Sequence, residues 1–174
     1  MLTTPLFGLT PPPPQRILEA ELSMTKQPNL LACVRSHLMG RGEDYRWVTM
    51  GPEGEKIGLA YLPAQATPIP CTFMFTELRE PASLVFDAHF AHRIAPADQA
   101  ELSMLFLTLN ANLSEGQLLL GAPTGLVYYR LKFVLGTPAP TEEEILARIA
   151  HMEAVGLSMA NTYARIIAAE FPEQ

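Results

Sequence analysis

Residues 126–135, LVYYRLKFVL, repeat with a period of two: Val127, Tyr129, Leu131, Phe133 and Leu135 share one side of an extended chain, and Tyr128, Arg130 and Lys132 share the other. A half-buried strand has this pattern, with one face against helices and the other more polar. The residues before it show how the strand is reached. In LNANLSEGQLLLGAPTG a helical spacing exits through Asn110, Asn112, Ser114 and Glu115-Gly116, and QLLL then turns back through Gly121 to Gly125. The segment predicts a helix end, a strand, a turn and a strand.

The same two periods divide the rest of the chain. After Pro28, placed for a first helical turn, NLLACVRSHLMGRG sets Leu30, Leu31, Val34 and Leu38 at helical spacing and stops at Gly40 and Gly42, which suit a C-cap. YRWVTM and KIGLAYL flank GPEGE and predict an antiparallel hairpin. PCTFMFTEL and SLVFDAHFA form a second strand pair around Pro81, with Leu84, Phe86, Ala88 and Phe90 on one face and Val85, Asp87 and His89 on the other. PADQAELSMLFLTLNANLS returns to helical spacing. Leu102, Leu105, Phe106, Leu109 and Leu113 give it a broad apolar face, and it is expected to be well buried. A last helix opens on a capping box of Thr141 and Glu144, with Glu142 and Glu143 adding negative charge at the positive end of the helix dipole. Its apolar seam runs through Ile145, Ile149, Met152, Met159, Tyr163 and Ile166, and Gly156 marks a point where it can kink. A helix reaching Ala169 would be about 40 Å long at about 1.5 Å per residue, more than a small sheet needs for cover, so part of it is free for an interface. The element order is α-ββ-ββ-α-ββ-α, an α+β chain.

With 174 residues, 48% of them hydrophobic, the chain can bury a core as a single domain. Charged residues are 17% and the net charge is -6, so there is no basic excess to neutralise phosphates, which speaks against nucleic acid as a partner. So sparse a charge also suggests apolar surface covered by another subunit or a client. Cys33 and Cys71 lie far apart in segments that read as buried, suggesting reduced intracellular thiols and neither a disulfide framework nor a thiolate metal cluster. The N-terminus has no secretory pattern and no apolar run approaches about 18 residues, so a cytoplasmic location without membrane insertion is expected. Pro11 to Pro14 favour extended polyproline conformation, making residues 1–27 a proline-rich arm, with QRILEAELSM as a short helix, before a single domain over 28–170.

Nucleophile elbows, phosphate loops and zinc spacings are missing from the sequence, and GPEGEKIG lies between strands without the helix that would cradle a phosphate. The best metal-like constellation is Asp87, His89 and His92 in DAHFAHR, without a recognisable fourth ligand. Cys33 lies one helical turn from His37, but a helix interior supplies no oxyanion donors, so Cys33 reads as core. His37 and His151 read as interface or surface groups. A wider possibility is the polar side of the sheet, where Asp87, His89, Tyr128, Arg130 and Lys132 can converge, with Arg130 and Lys132 spaced to contact an acidic group together. Solvation alone also produces such a face. No catalytic residue and no cofactor follows from these patterns.

The run from an apolar helix through LNANLSEGQLLL, across a turn into LVYYRLKF and on to PTEEEILARI resembles the YbjN-like family, bacterial proteins regarded as candidate sensory transduction regulators. The resemblance covers residues 28 to 168 and is carried by Leu109-Asn110, Gly116, the Tyr129-Arg130 pair and the Thr141 capping helix. GAPTG stands where the family often has an acidic turn, and the N-terminal arm is outside the resemblance. It implies a fold like that of type III secretion chaperones: a twisted antiparallel sheet of five to six strands with three main helices, one before, one inserted and one following. It carries over no catalytic residues. The expectation is a non-enzymatic protein- or peptide-binding module, chaperone-like or regulatory, homodimeric, with an unidentified protein or peptide client. The alternative is a small-molecule or metal-binding sensor using the polar sheet face around Asp87, His89 and His92.

Overall fold

Asn29 opens the first helix, its side-chain carbonyl accepting from the Ala32 N–H at 2.9 Å, and α1 runs Leu30–Gly40. Gly42 ends it at φ +71, where the Glu43 N–H donates to the Leu38 carbonyl and the Gly42 N–H to the Met39 carbonyl, a Schellman motif that needs glycine. The computed structural model describes residues 29–50 and 56–170; the proline-rich arm, the QRILEAELSM segment, Pro28 and the GPEGE turn lie outside the described residues.

Four antiparallel strands follow in chain order: β1 (Tyr45–Met50), β2 (Lys56–Tyr61), β3 (Cys71–Arg79) and β4 (Ala82–Arg93). The helix α2 (Gln99–Asn110) is inserted before β5 (Gln117–Gly121) and β6 (Leu126–Val134), and α3 (Glu142–Glu170) closes the fold. Strand β6 returns past β5 to pair with β4, giving the sheet order β1-β2-β3-β4-β6-β5. The fold is α+β, with the element order expected from the two hydrophobic periods.

The alternation in each strand decides which face meets the helices. Leu84, Phe86, Ala88 and Phe90 of β4 and Val127, Tyr129 and Leu131 of β6 are buried on one face. All three described helices lie on that side. Helix α3 comes so close that a Cβ on Gly156 would sit 2.6 Å from the Phe86 ring, so this glycine is a point of contact, and helical structure continues through it. The α3 N-terminus is closed by the expected capping box: the Thr141 N–H donates to Glu144 Oε2 at 2.7 Å and the Glu144 N–H to Thr141 Oγ1 at 3.2 Å. Helix α2 is fastened to β5 by Asn110, whose amide donates to the Leu118 carbonyl and accepts from the Leu118 N–H.

Helix α2 departs from expectation. Only Leu102 and Phe106 are buried, while Met104 and Leu107 are each 66% exposed. Its residues are apolar nearly all round, so the spacing could not say which stripe the sheet would cover; the sheet covers a narrow one.

Candidate functional site: the open face of the sheet

No described helix crosses the other face of the sheet. It is formed by Thr72, Met74 and Thr76 of β3, Val85, Asp87 and His89 of β4, Tyr128, Arg130 and Lys132 of β6, and Gln117 and Leu119 of β5, as the strand registers require. Asp87 and Arg130 are directly opposite in adjacent strands. Arg130 Nε donates to Asp87 Oδ1 at 2.7 Å and Nη2 to Oδ2 at 2.9 Å, a bidentate pair. The same guanidinium lies 5.2 Å from the Tyr128 ring centroid, and the Tyr128 ring stacks on His89 at 5.3 Å. Asp87, Arg130, Tyr128 and His89 thus form one continuous ladder, with Lys132 exposed two positions further along β6.

Electrostatics follow from this geometry. The hydrogen bonds that Arg130 donates to Asp87 hold its pKa above its ordinary value. Burial pushes the His89 imidazole below its ordinary value, and the Arg130 charge adds to that, while Asp87 opposes it. His89 is therefore a neutral ring at pH 7, and its Nε2 is buried without a hydrogen-bond partner. Asp87 is 2% exposed, so this face is not a simply solvated one. Arg130 and Lys132 do not act as an equivalent pair either, because two guanidinium nitrogens of Arg130 are committed to Asp87.

The metal constellation does not assemble. Strand β4 runs on to Arg93, so alternation sets His92 with Phe90 on the helix side, where Nδ1 is 3.0 Å from the Tyr163 hydroxyl of α3. Asp87 faces the other way and is taken by Arg130. Among the described residues no group of three His, Cys, Asp or Glu side chains could hold a metal ion.

A second polar cluster lies on the helix side and was not expected. Glu153 of α3 is 5% exposed and gathers three partners: His37 Nε2 at 2.9 Å, Arg41 Nη1 donating at 2.7 Å, and the Tyr61 hydroxyl donating to the other carboxylate oxygen. Burial, followed by the Glu153 charge, raises the Tyr61 phenol well above its ordinary range. His37, expected as a surface or interface group, is instead part of this clamp between α1, β2 and α3. An acid among Ile149, Met152 and Gly156 on the apolar seam was the available signal. The remaining candidates are where the sequence placed them. Cys33 and Cys71 are buried thiols raised by that burial, and His151 is a surface group bonded to Glu115.

These features define a class: a small α+β fold whose open antiparallel sheet carries its helices on one face. A solved structure of the same kind is that of YbjN, described as a candidate transcription regulator from E. coli, which matches with a TM-score of 0.54 at 13% identity over 78% of this chain and 91% of that chain. At that identity the likeness is one of fold, and it agrees with the family resemblance read from the sequence. No family model matches the chain, and no curated protein matches it. No helix among the described residues is long and apolar enough to cross a membrane.

Proposed function

We propose that this chain is a non-enzymatic protein- or peptide-binding module of regulatory or chaperone-like type, acting in the cytoplasm as a homodimer and engaging its partner through the open sheet face. The observation that carries the reading is the sheet face that no described helix covers, which presents a fixed ladder of aromatic and charged groups among half-buried apolar ones. The buried acids support it, since both are committed to structural partners. The description of YbjN as a candidate regulator is in keeping with it. Support for the dimer comes from α2, where Ala100, Met104, Leu107 and Ala111 form an exposed uncharged stripe spaced four, three and four residues apart. That spacing is symmetric about its centre, so an antiparallel two-fold contact would set Met104 of one copy against Leu107 of the other.

Two measurements test it. Light scattering after size exclusion should give a dimer mass that Met104→Glu lowers to a monomer; a monomeric parent chain at high concentration removes the dimer. An array of random dodecapeptides should show sequence-dependent spots that Tyr128→Ala abolishes; a blank array sinks the binding role.

A further inference from the structure

Charge is unevenly divided between the two sides of this molecule. The helices carry Glu101, Glu142, Glu143, Glu144, Glu153 and Glu170 against Arg35, Arg148 and Arg165. The open face of β3, β4, β6 and β5 reverses this balance: its described charges are Arg93, Arg130 and Lys132 against Asp87 alone, and Asp87 is buried against Arg130. Arg93 belongs to this face because it keeps the parity of Asp87 and His89 and pairs with Leu126, which shares a side with Tyr128 and Arg130. On a chain of net charge -6, the open face is a local basic surface.

The cations also form a row. Arg93 lies at the level of Leu126, followed along β6 by Arg130 and Lys132, so the row spans about 20 Å at about 3.3 Å per strand residue. The successive spacings are four and two residues, both even. An extended polypeptide laid along the row presents every second side chain downward, so acids at even spacing all reach cations. Tyr128 lies between Leu126 and Arg130 in this row, and Met74 of β3 and Leu119 of β5 flank it on either side, all three half-buried and able to take apolar side chains.

Building on the binding-module reading, we propose that the open face recognises an extended acidic segment of another polypeptide, with carboxylates at even spacing over Arg93, Arg130 and Lys132. The Asp87 bridge fixes Arg130 in position while leaving Nη1 outside the pair, and the Tyr128 ring supports the guanidinium from the side. Nucleic acid is the poorer fit. Its phosphates repeat without apolar gaps, and the surrounding chain repels a long polyanion.

The test uses fluorescence anisotropy with the full chain and a labelled heptapeptide, Glu-Val-Glu-Thr-Glu-Val-Glu, which serves either strand direction. Its glutamine counterpart and a twenty-residue oligothymidine are measured beside it. The acidic heptamer is expected to bind best, to weaken as salt is raised, and to lose about tenfold in affinity with each of Arg93→Glu and Lys132→Glu. Thermal melts of these surface variants should match the parent. Binding unchanged by both reversals, or oligothymidine bound in preference to the heptamer, overturns the proposal. Equal binding of the glutamine and glutamate heptamers, both lost with Tyr128→Ala, overturns the acidic preference while the binding module stands. If no peptide, in solution or on the array, responds to open-face substitution, both readings fall.

Discussion

Asp87 and Glu153 are the two acids buried among the described residues, one on each side of the sheet, and they are used in opposite ways. Glu153 draws His37, Arg41 and Tyr61 from 116, 112 and 92 residues away, so one carboxylate ties α1 and β2 to α3. Asp87 is satisfied by the residue directly opposite in the next strand, and its partner Arg130 has a side chain 41% exposed. The first is a tertiary clamp with its charges turned inward. The second fixes a cation on a surface. Burial of an acid therefore says little about its role until its partners are known.

The largest expected effect is at the clamp. Glu153→Ala leaves Tyr61, His37 and Arg41 facing a vacated site and should cost about 3–5 kcal/mol in denaturant unfolding, with Glu153→Gln milder because it keeps an acceptor. A loss below about 1 kcal/mol for the alanine variant would erase the contrast. Asp87→Ala should cost less, about 1–2 kcal/mol, because Arg130 can turn to water. It should also tighten the acidic heptamer, since it frees the guanidinium; unchanged or weaker binding would mean that Asp87 positions Arg130 more than it neutralises it.

Smaller effects come from pH. The folded His89 pKa lies below its ordinary 6.5, so between the two values the unfolded chain binds more protons. Stability from this group is present above about pH 6.5 and is lost as pH falls through the folded value. Melting curves from pH 7.5 to 5 should show a steeper acid loss for the parent than for His89→Gln, and parallel curves would exclude the effect. The smallest change is at the exposed capping box. Hydrogen bonds from Thr141 lower the Glu144 pKa, so its contribution is present above the ordinary carboxylate pKa and fades as pH falls through the lower folded one. Glu144→Ala should lower the melting temperature slightly at pH 7 and not at all well below the folded pKa.

Much of the fold was legible because its signals are local. The alternation of β6, the capping box at Thr141 and the glycine exit of α1 each depend on a few neighbouring residues. The convergence of Asp87, His89, Tyr128 and Arg130 was also readable as an expectation, since equal parity places them on one face once β4 and β6 are neighbours. Other features were hidden for specific reasons. Strand β4 continues to Arg93, so His92 keeps the parity of Phe90 and faces the helices, and the chain does not fold it back towards Asp87 and His89 as the metal constellation required. Apolar residues of α2 fall on more than one side of it, so their spacing did not tell the covered stripe from the exposed one. Glu153 looked like any acid on an amphipathic helix, because its partners come from α1 and β2.

By itself, the amino-acid sequence determined the order of helices and strands and which side chains share each strand face. Backbone periodicity and turn chemistry act over a few residues, and they suffice for this. Only the tertiary structure decided that β6 lies beside β4 across the α2 insertion, placing Arg130 on Asp87 at a separation of 43 residues. It also decided which face no described helix covers, because the three described helices settle on the large apolar residues of one side. The other side keeps its cations in a row, since extended strands in register bring together charges that the linear chain keeps apart.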